Sequence, residues 1–105
     1  MKLLLDECIP RKLKKYLQPH ECKTVPEAGF AGKKNGVLSA LAEVAGFDDL
    51  VTMDRGIEYE QNHASRAMAI LIIRAKSNRL ADIAPSTAAC LRALKTIDAS
   101  QILRV

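Results

Sequence analysis

Met68-Ala69-Ile70-Leu71-Ile72-Ile73 is the stretch that decides the fold. Its unbroken run of apolar residues is too short for a buried helix and leaves no polar face. It reads as a strand buried on both sides and central in its sheet. Lys2 to Leu5 is a shorter apolar run that ends at an acid, and Leu50 to Thr52 is another, leading to Asp54. His20 to Val25 is half polar, as suits a strand near a sheet edge, and Gln101 to Val105 closes as a fifth strand. Helical patterns lie between them. Pro10 fits the first turn of a helix with Leu13, Tyr16 and Leu17 as its apolar stripe, stopped by Pro19. Val37, Leu38, Leu41, Ala42 and Ala45 repeat at helical spacing, and Gly46 is placed to end that helix. A last helix is expected from about Leu80 to Leu94. Pro26 to Gly36 reads as loop with Asn35 available as an N-cap, and residues 55–66 read as polar loop with room for one helical turn. Strands alternating with helices predict an α/β domain with right-handed crossovers and a parallel sheet covered on both faces.

The bulk numbers agree with one ordinary domain. The chain has 105 residues, 49% hydrophobic and 27% charged, which excludes disorder and supplies a real core. No apolar run approaches the roughly 18 residues of a membrane span. Met1 to Pro10 lacks the long apolar stretch and small-residue cleavage site of a signal peptide, so a cytoplasmic location is expected. Cys8, Cys22 and Cys90 are odd in number and widely spaced, which fits reduced thiols. His20 and His63 lack zinc-ligand spacing. Net charge is +4 with a pI near 9.1, compatible with a polyanionic partner. Arg11, Lys12, Lys14 and Lys15 crowd one segment, where a solvated face is the plain reading. Arg55, Arg66, Arg74, Lys76 and Arg79 lie further along. Tyr16, Phe30, Phe47 and Tyr59 are the whole aromatic set, so no stacking platform for single strands is expected.

Ligands of open parallel sheets bind beyond the carboxyl ends of the strands. Asp6, with Glu7 beside it, follows the first strand, and Asp54 follows the third. Carboxylates gathered at such a rim repel one another unless a cation is shared. Mg²⁺ or Mn²⁺ fits, because it takes one or two carboxylates and keeps waters that a phosphate can replace. An Asx-turn is the competing role for Asp54. Glu7 ranks second, since it points away from Asp6 along an extended backbone. Glu43, Glu58 and Glu60 read as solvated acids.

The opening K-L-L-L-D-E-C-I-P, the segment T-V-P-E-A-G-F-A-G-K-K-N-G-V-L, the turn L-V-T-M-D-R followed by Q-N, and I-I-R-A-K-S-N together resemble a family of small PIN-like proteins. These are predicted nucleases, often regarded as VapC-like toxin components of type II toxin–antitoxin pairs. The likeness runs through nearly the whole chain in the same order, with D-E-x-x-P and T-x-D its most specific elements. It implies a three-layer α/β/α sandwich with a five-stranded, mainly parallel sheet. It also implies an Mg²⁺- or Mn²⁺-dependent endoribonuclease, hydrolysing RNA phosphodiester bonds, with a small antitoxin protein as partner. Carried over by position, Asp6 and Asp54 are the catalytic and metal-holding acids, joined by Glu7. Many relatives have an Asp where this chain has Asn35, and read T-x-D-x-D where it has Gly56. Two-metal catalysis is therefore not expected. Asn35 is left as a neutral ligand, a phosphate contact or a cap. Arg55, Arg74, Lys76 and Asn78 are the expected substrate-binding residues, the last three because they follow the fourth strand onto the same rim.

Two other readings compete. A receiver-like phosphoacceptor module would also place acids after strand one, an Asp after strand three and a hydroxyl after strand four, here Ser77. It needs a lysine after strand five, and the sequence stops at Val105. A catalytically degenerate PIN-like domain that only binds a partner is the third. The sequence leaves the choice between monomer and homodimer open.

Overall fold

A computed structural model describes residues 1–33, 35–56 and 68–105, the side chain of Asn35 excepted. The elements run β1 (Lys2–Leu5), a 3₁₀ helix (Arg11–Tyr16), β2 (Glu21–Thr24), α1 (Asn35–Val44) and β3 (Asp49–Thr52). They continue as β4 (Ala69–Ile72), α2 (Leu80–Ile83), α3 (Thr87–Thr96) and β5 (Ile102–Arg104). The five strands form one sheet in the order β2-β1-β3-β4-β5, and every pairing is parallel. β2 and β5 are the edges. β4 is buried at every position, as its uninterrupted apolar run requires.

Alternate side chains of the strands divide between two cores. Leu3, Leu5, Val51, Leu71 and Ile73 pack with Leu13 and Leu17 of the first connection and with Ile83, Cys90 and Leu94 of the last. Leu4, Leu50, Ile70 and Ile72 meet Leu38 and Ala42 of α1, together with Phe47. The molecule is thus an α/β/α sandwich. Each fully buried leucine contributes about 2 kcal/mol by its removal from water, and truncating Leu71 to Ala costs about 2–5 kcal/mol.

Several local expectations are met and others are corrected. Gly46 ends α1 at φ +88°. Its N–H donates to Glu43 O (3.1 Å), and that of Phe47 donates to Ala42 O (3.0 Å). This is the paired bonding of a Schellman cap, with Phe47 folded back onto Ala42. α1 begins at Asn35 itself, so that residue opens the helix instead of preceding it. The segment after Pro10 is 3₁₀, not α, and Tyr16 is exposed, which leaves Leu13 and Leu17 as its buried stripe. So short a stretch cannot offset the nucleation cost of an α-helix, and the tighter turn suffices to bury two leucines. The last helix is broken: Ala84–Ser86 is a 3₁₀ turn between α2 and α3. Pro85 has no N–H for the carbonyl of Ala81, and its ring crowds that turn. The expected loop at 55–66 lies outside the described residues beyond Gly56.

The crossovers also depart from expectation. β1 to β2 and β2 to β3 run in opposite directions across the sheet and use opposite faces, so they share one hand. β4 to β5 runs in the direction of β2 to β3, yet α2 and α3 pack on the face used by β1 to β2. Its hand is the reverse of the other two. No helix among the described residues is long and apolar enough to cross a membrane.

Candidate functional site

The strand order reverses between β1 and β3, since β2 lies on one side of β1 and β3, β4 and β5 on the other. Chains leaving those two strands diverge and open a crevice at their carboxyl ends. Asp6 leaves β1 there, its N–H still donating to Val51 O of β3 (2.9 Å). Its Oδ1 accepts from Glu7 N (2.8 Å) and its Oδ2 from Thr52 Oγ1 (2.7 Å). Thr52 is wholly buried at the end of β3, and its hydroxyl oxygen in turn accepts from Asp54 N (3.0 Å). One hydroxyl therefore joins the two acidic segments, orienting the Asp6 carboxylate and fixing the turn that carries Asp54. Cys8 Sγ lies 3.9 Å from the same hydroxyl, and burial pushes its thiol up, which keeps it protonated beside Asp6.

Asp54 is exposed, and its Oδ1 accepts from Gly56 N (2.9 Å), which is the Asx-turn weighed for it from sequence. The turn and the rim position coexist: Oδ2 takes no bond from any described residue. Glu7 is exposed and turned aside, its Oε1 accepting from Gly32 N (3.0 Å) and so tying down the loop before α1.

Beside Asp6, on the β2 side, lies a cavity of about 400 Å³ walled by Asp6, Glu7, Ile9, Arg11, Thr24 and Glu27, with Pro26 at its lip. Glu27 was not singled out by the sequence reading. It lies three residues beyond β2, whereas Asp6 directly follows β1, and an acid shortly after a strand was the signal available. Its carboxylate accepts from Lys14 Nζ and from Thr24 N (2.8 Å). The Lys14 bond, then that of Thr24, holds it down at about 2. Arg11 and Lys14, read as part of a solvated face, thus stand at the site. Thr52 was visible in T-x-D without a role.

The expected phosphate contacts follow the neighbouring strands. Arg55 is exposed immediately after Asp54. Ile73 N donates to the backbone carbonyl of Thr52 (2.8 Å), so Arg74 directly follows the residue paired with Thr52. Arg74 is exposed, with Nε 3.5 Å from Val105 O. Lys76 stands 4.0 Å from Asp82, and Asn78 is exposed. The side chain of Asn35 is outside the described residues, as are Glu58, Glu60 and Arg66.

No family model matches the chain, nor does any curated protein or solved structure. Among the described residues no group of three His, Cys, Asp or Glu side chains is gathered to hold a metal. Among the described residues, Asp6 retains a lone pair on each oxygen and Asp54 Oδ2 has no hydrogen-bond partner. That donor set suits a largely hydrated hard cation on one or two carboxylates and not a closed cage such as zinc requires.

Proposed function

We propose that this protein is a metal-dependent ribonuclease of the PIN-like type, acting as the toxin of a type II toxin–antitoxin pair. One observation carries the reading: Asp6 and the turn bearing Asp54 are joined through buried Thr52 at the point where the strand order reverses. Asp6 and Asp54 would hold Mg²⁺ or Mn²⁺, which when bound would activate water and offset charge on a scissile phosphate. The protein's own residues do the rest. Thr52 presents Asp6, Cys8 stays neutral beside it, and Arg55, Arg74, Lys76 and Asn78 offer donors to phosphate oxygens. A toxin of this kind requires a small antitoxin to cover the rim. The test is Mn²⁺-dependent cleavage of an RNA oligonucleotide by the purified chain, abolished in Asp6→Asn. Cleavage that persists in that variant rejects the reading.

The strand order favours a second reading, because phosphoacceptor receiver modules share it. Two features weigh against it. A sheet of this order with uniform right-handed crossovers would carry the β4–β5 helices on the α1 face, and here they lie opposite. Ser77, the hydroxyl it needs, donates to Asp82. Labelling at Asp54 by a small phosphodonor would revive it. A partner-binding domain without catalysis is what remains if both assays are blank.

A further inference from the structure

The loop between β4 and α2, residues 74–79, carries Arg74, Lys76 and Arg79 and no acid. Arg74 and Arg79 are exposed and have no ion pair among the described residues. Lys76 is 84% exposed at its side chain and only loosely near Asp82. So dense a row of like charges repels itself and would be expected to splay. It is instead braced from below. Ser77 Oγ donates to Asp82 Oδ2 on α2 and accepts from Arg79 N (3.1 Å), while Asp82 N bonds back to Arg79 O (3.0 Å). Asp82 is turned inward at 22% exposure, so its charge serves the loop's underside and leaves the outer face cationic. The loop begins at Arg74, next to the Ile73–Thr52 bond, and so leads directly away from the carboxylate rim.

We infer that residues 74–79 form a preshaped grip for the sugar-phosphate backbone of single-stranded RNA, with Arg79 a further phosphate ligand and Ser77 and Asp82 its positioning pair. The inference rests on the ribonuclease reading for the identity of the polyanion. RNA is favoured over an acidic peptide because three cations stand within six consecutive residues, and the one apolar residue among them, Ala75, packs against the core and offers no outward seat for a peptide. Phosphates along a strand meet such a row one after another, each contact releasing counterions.

The experiment is equilibrium binding of a fluorescent single-stranded RNA to the Asp6→Asn protein in EDTA across a salt series. Adding Arg79→Gln should lower affinity about fivefold and reduce the slope of log affinity against log salt by about 0.7. Ser77→Ala keeps every charge, yet it should weaken binding severalfold, and Ser77→Thr, which keeps the hydroxyl, should restore it. An unchanged slope in Arg79→Gln overturns the inference, as does competition by polyglutamate equal to that by unlabelled RNA. The two readings fail separately. Arg79-dependent binding by a wild-type chain that shows no Mn²⁺-dependent cleavage removes the nuclease and keeps the grip. Cleavage with binding indifferent to Arg79 and Ser77 removes the grip and keeps the nuclease.

Discussion

Asp49 opens β3 and Asp54 follows its end, and the two carboxyls are treated in opposite ways. Asp49 is wholly buried between Leu3 of β1 and Ala69 of β4, beneath Cys90 of α3, and neither of its oxygens has a hydrogen-bond partner. Burial, with a smaller push from Asp48, raises it from 3.8 to about 8, and the ill-placed Leu71 N–H offsets only part of this. Asp54 is exposed, with one oxygen held by a backbone N–H and the other without a partner among the described residues. Asp6 is intermediate in exposure and accepts two hydrogen bonds. An acid buried without a partner is a neutral structural liability. An acid at the rim, oriented and still hydrated, is what a hard cation can use.

The largest expected effect breaks that comparison at its buried end. The folded state holds the Asp49 proton up to about pH 8, whereas the unfolded chain releases it near 4. Stability from this group is therefore full below about pH 4 and is lost as pH rises toward 8, with roughly 4 kcal/mol already lost by pH 7. Asp49→Asn should raise stability at pH 7 by about 2–4 kcal/mol and flatten the pH 4–8 profile in urea unfolding. A profile as steep as wild type would show that other groups set it.

At the rim, Thr52→Val keeps the shape and deletes the hydroxyl between Asp6 and Asp54. It should cost about 1–3 kcal/mol of stability and weaken Mn²⁺ binding at least tenfold, read by urea midpoints and calorimetry. Unaltered metal affinity would mean that Asp6 needs no orienting. Gly56→Asp adds a second acid two residues after Asp54, and a Cβ there meets Asp54 Oδ1 at 3.2 Å. It should loosen the Asx-turn and strengthen Mn²⁺ binding by about three- to tenfold, and weaker binding would count against the rim as the cation site. The smallest effect sharpens the contrast between exposed and buried acids. Lys14→Met should move Glu27 from about 2 back toward 4.5 in an NMR titration, with little change in the urea midpoint.

Much of this was legible in the sequence because the signals were local. Apolar runs gave the strands, Gly46 gave the helix end, and acids directly after strands gave the rim. Pro85 was a local signal too, and an apolar stripe running through it concealed the break. What the sequence could not display was context. Asp48 and Asp49 look alike on the page, yet Asp48 accepts from Lys2 N (2.7 Å) at the surface while Asp49 faces the core. Strand alternation decides between them, and it depends on where β3 starts. The face taken by α3 depends on packing across the whole sheet, which no window of residues reports. Glu27 escaped notice because its strand is half polar and its end was hard to place.

Isothermal titration of Mn²⁺ into the wild-type chain, Asp54→Ala and Asp6→Asn is the most direct test of a cation shared at the reversal of strand order. Saturable heat in the wild type that is lost in both variants is the predicted result. Identical isotherms from all three proteins would contradict it.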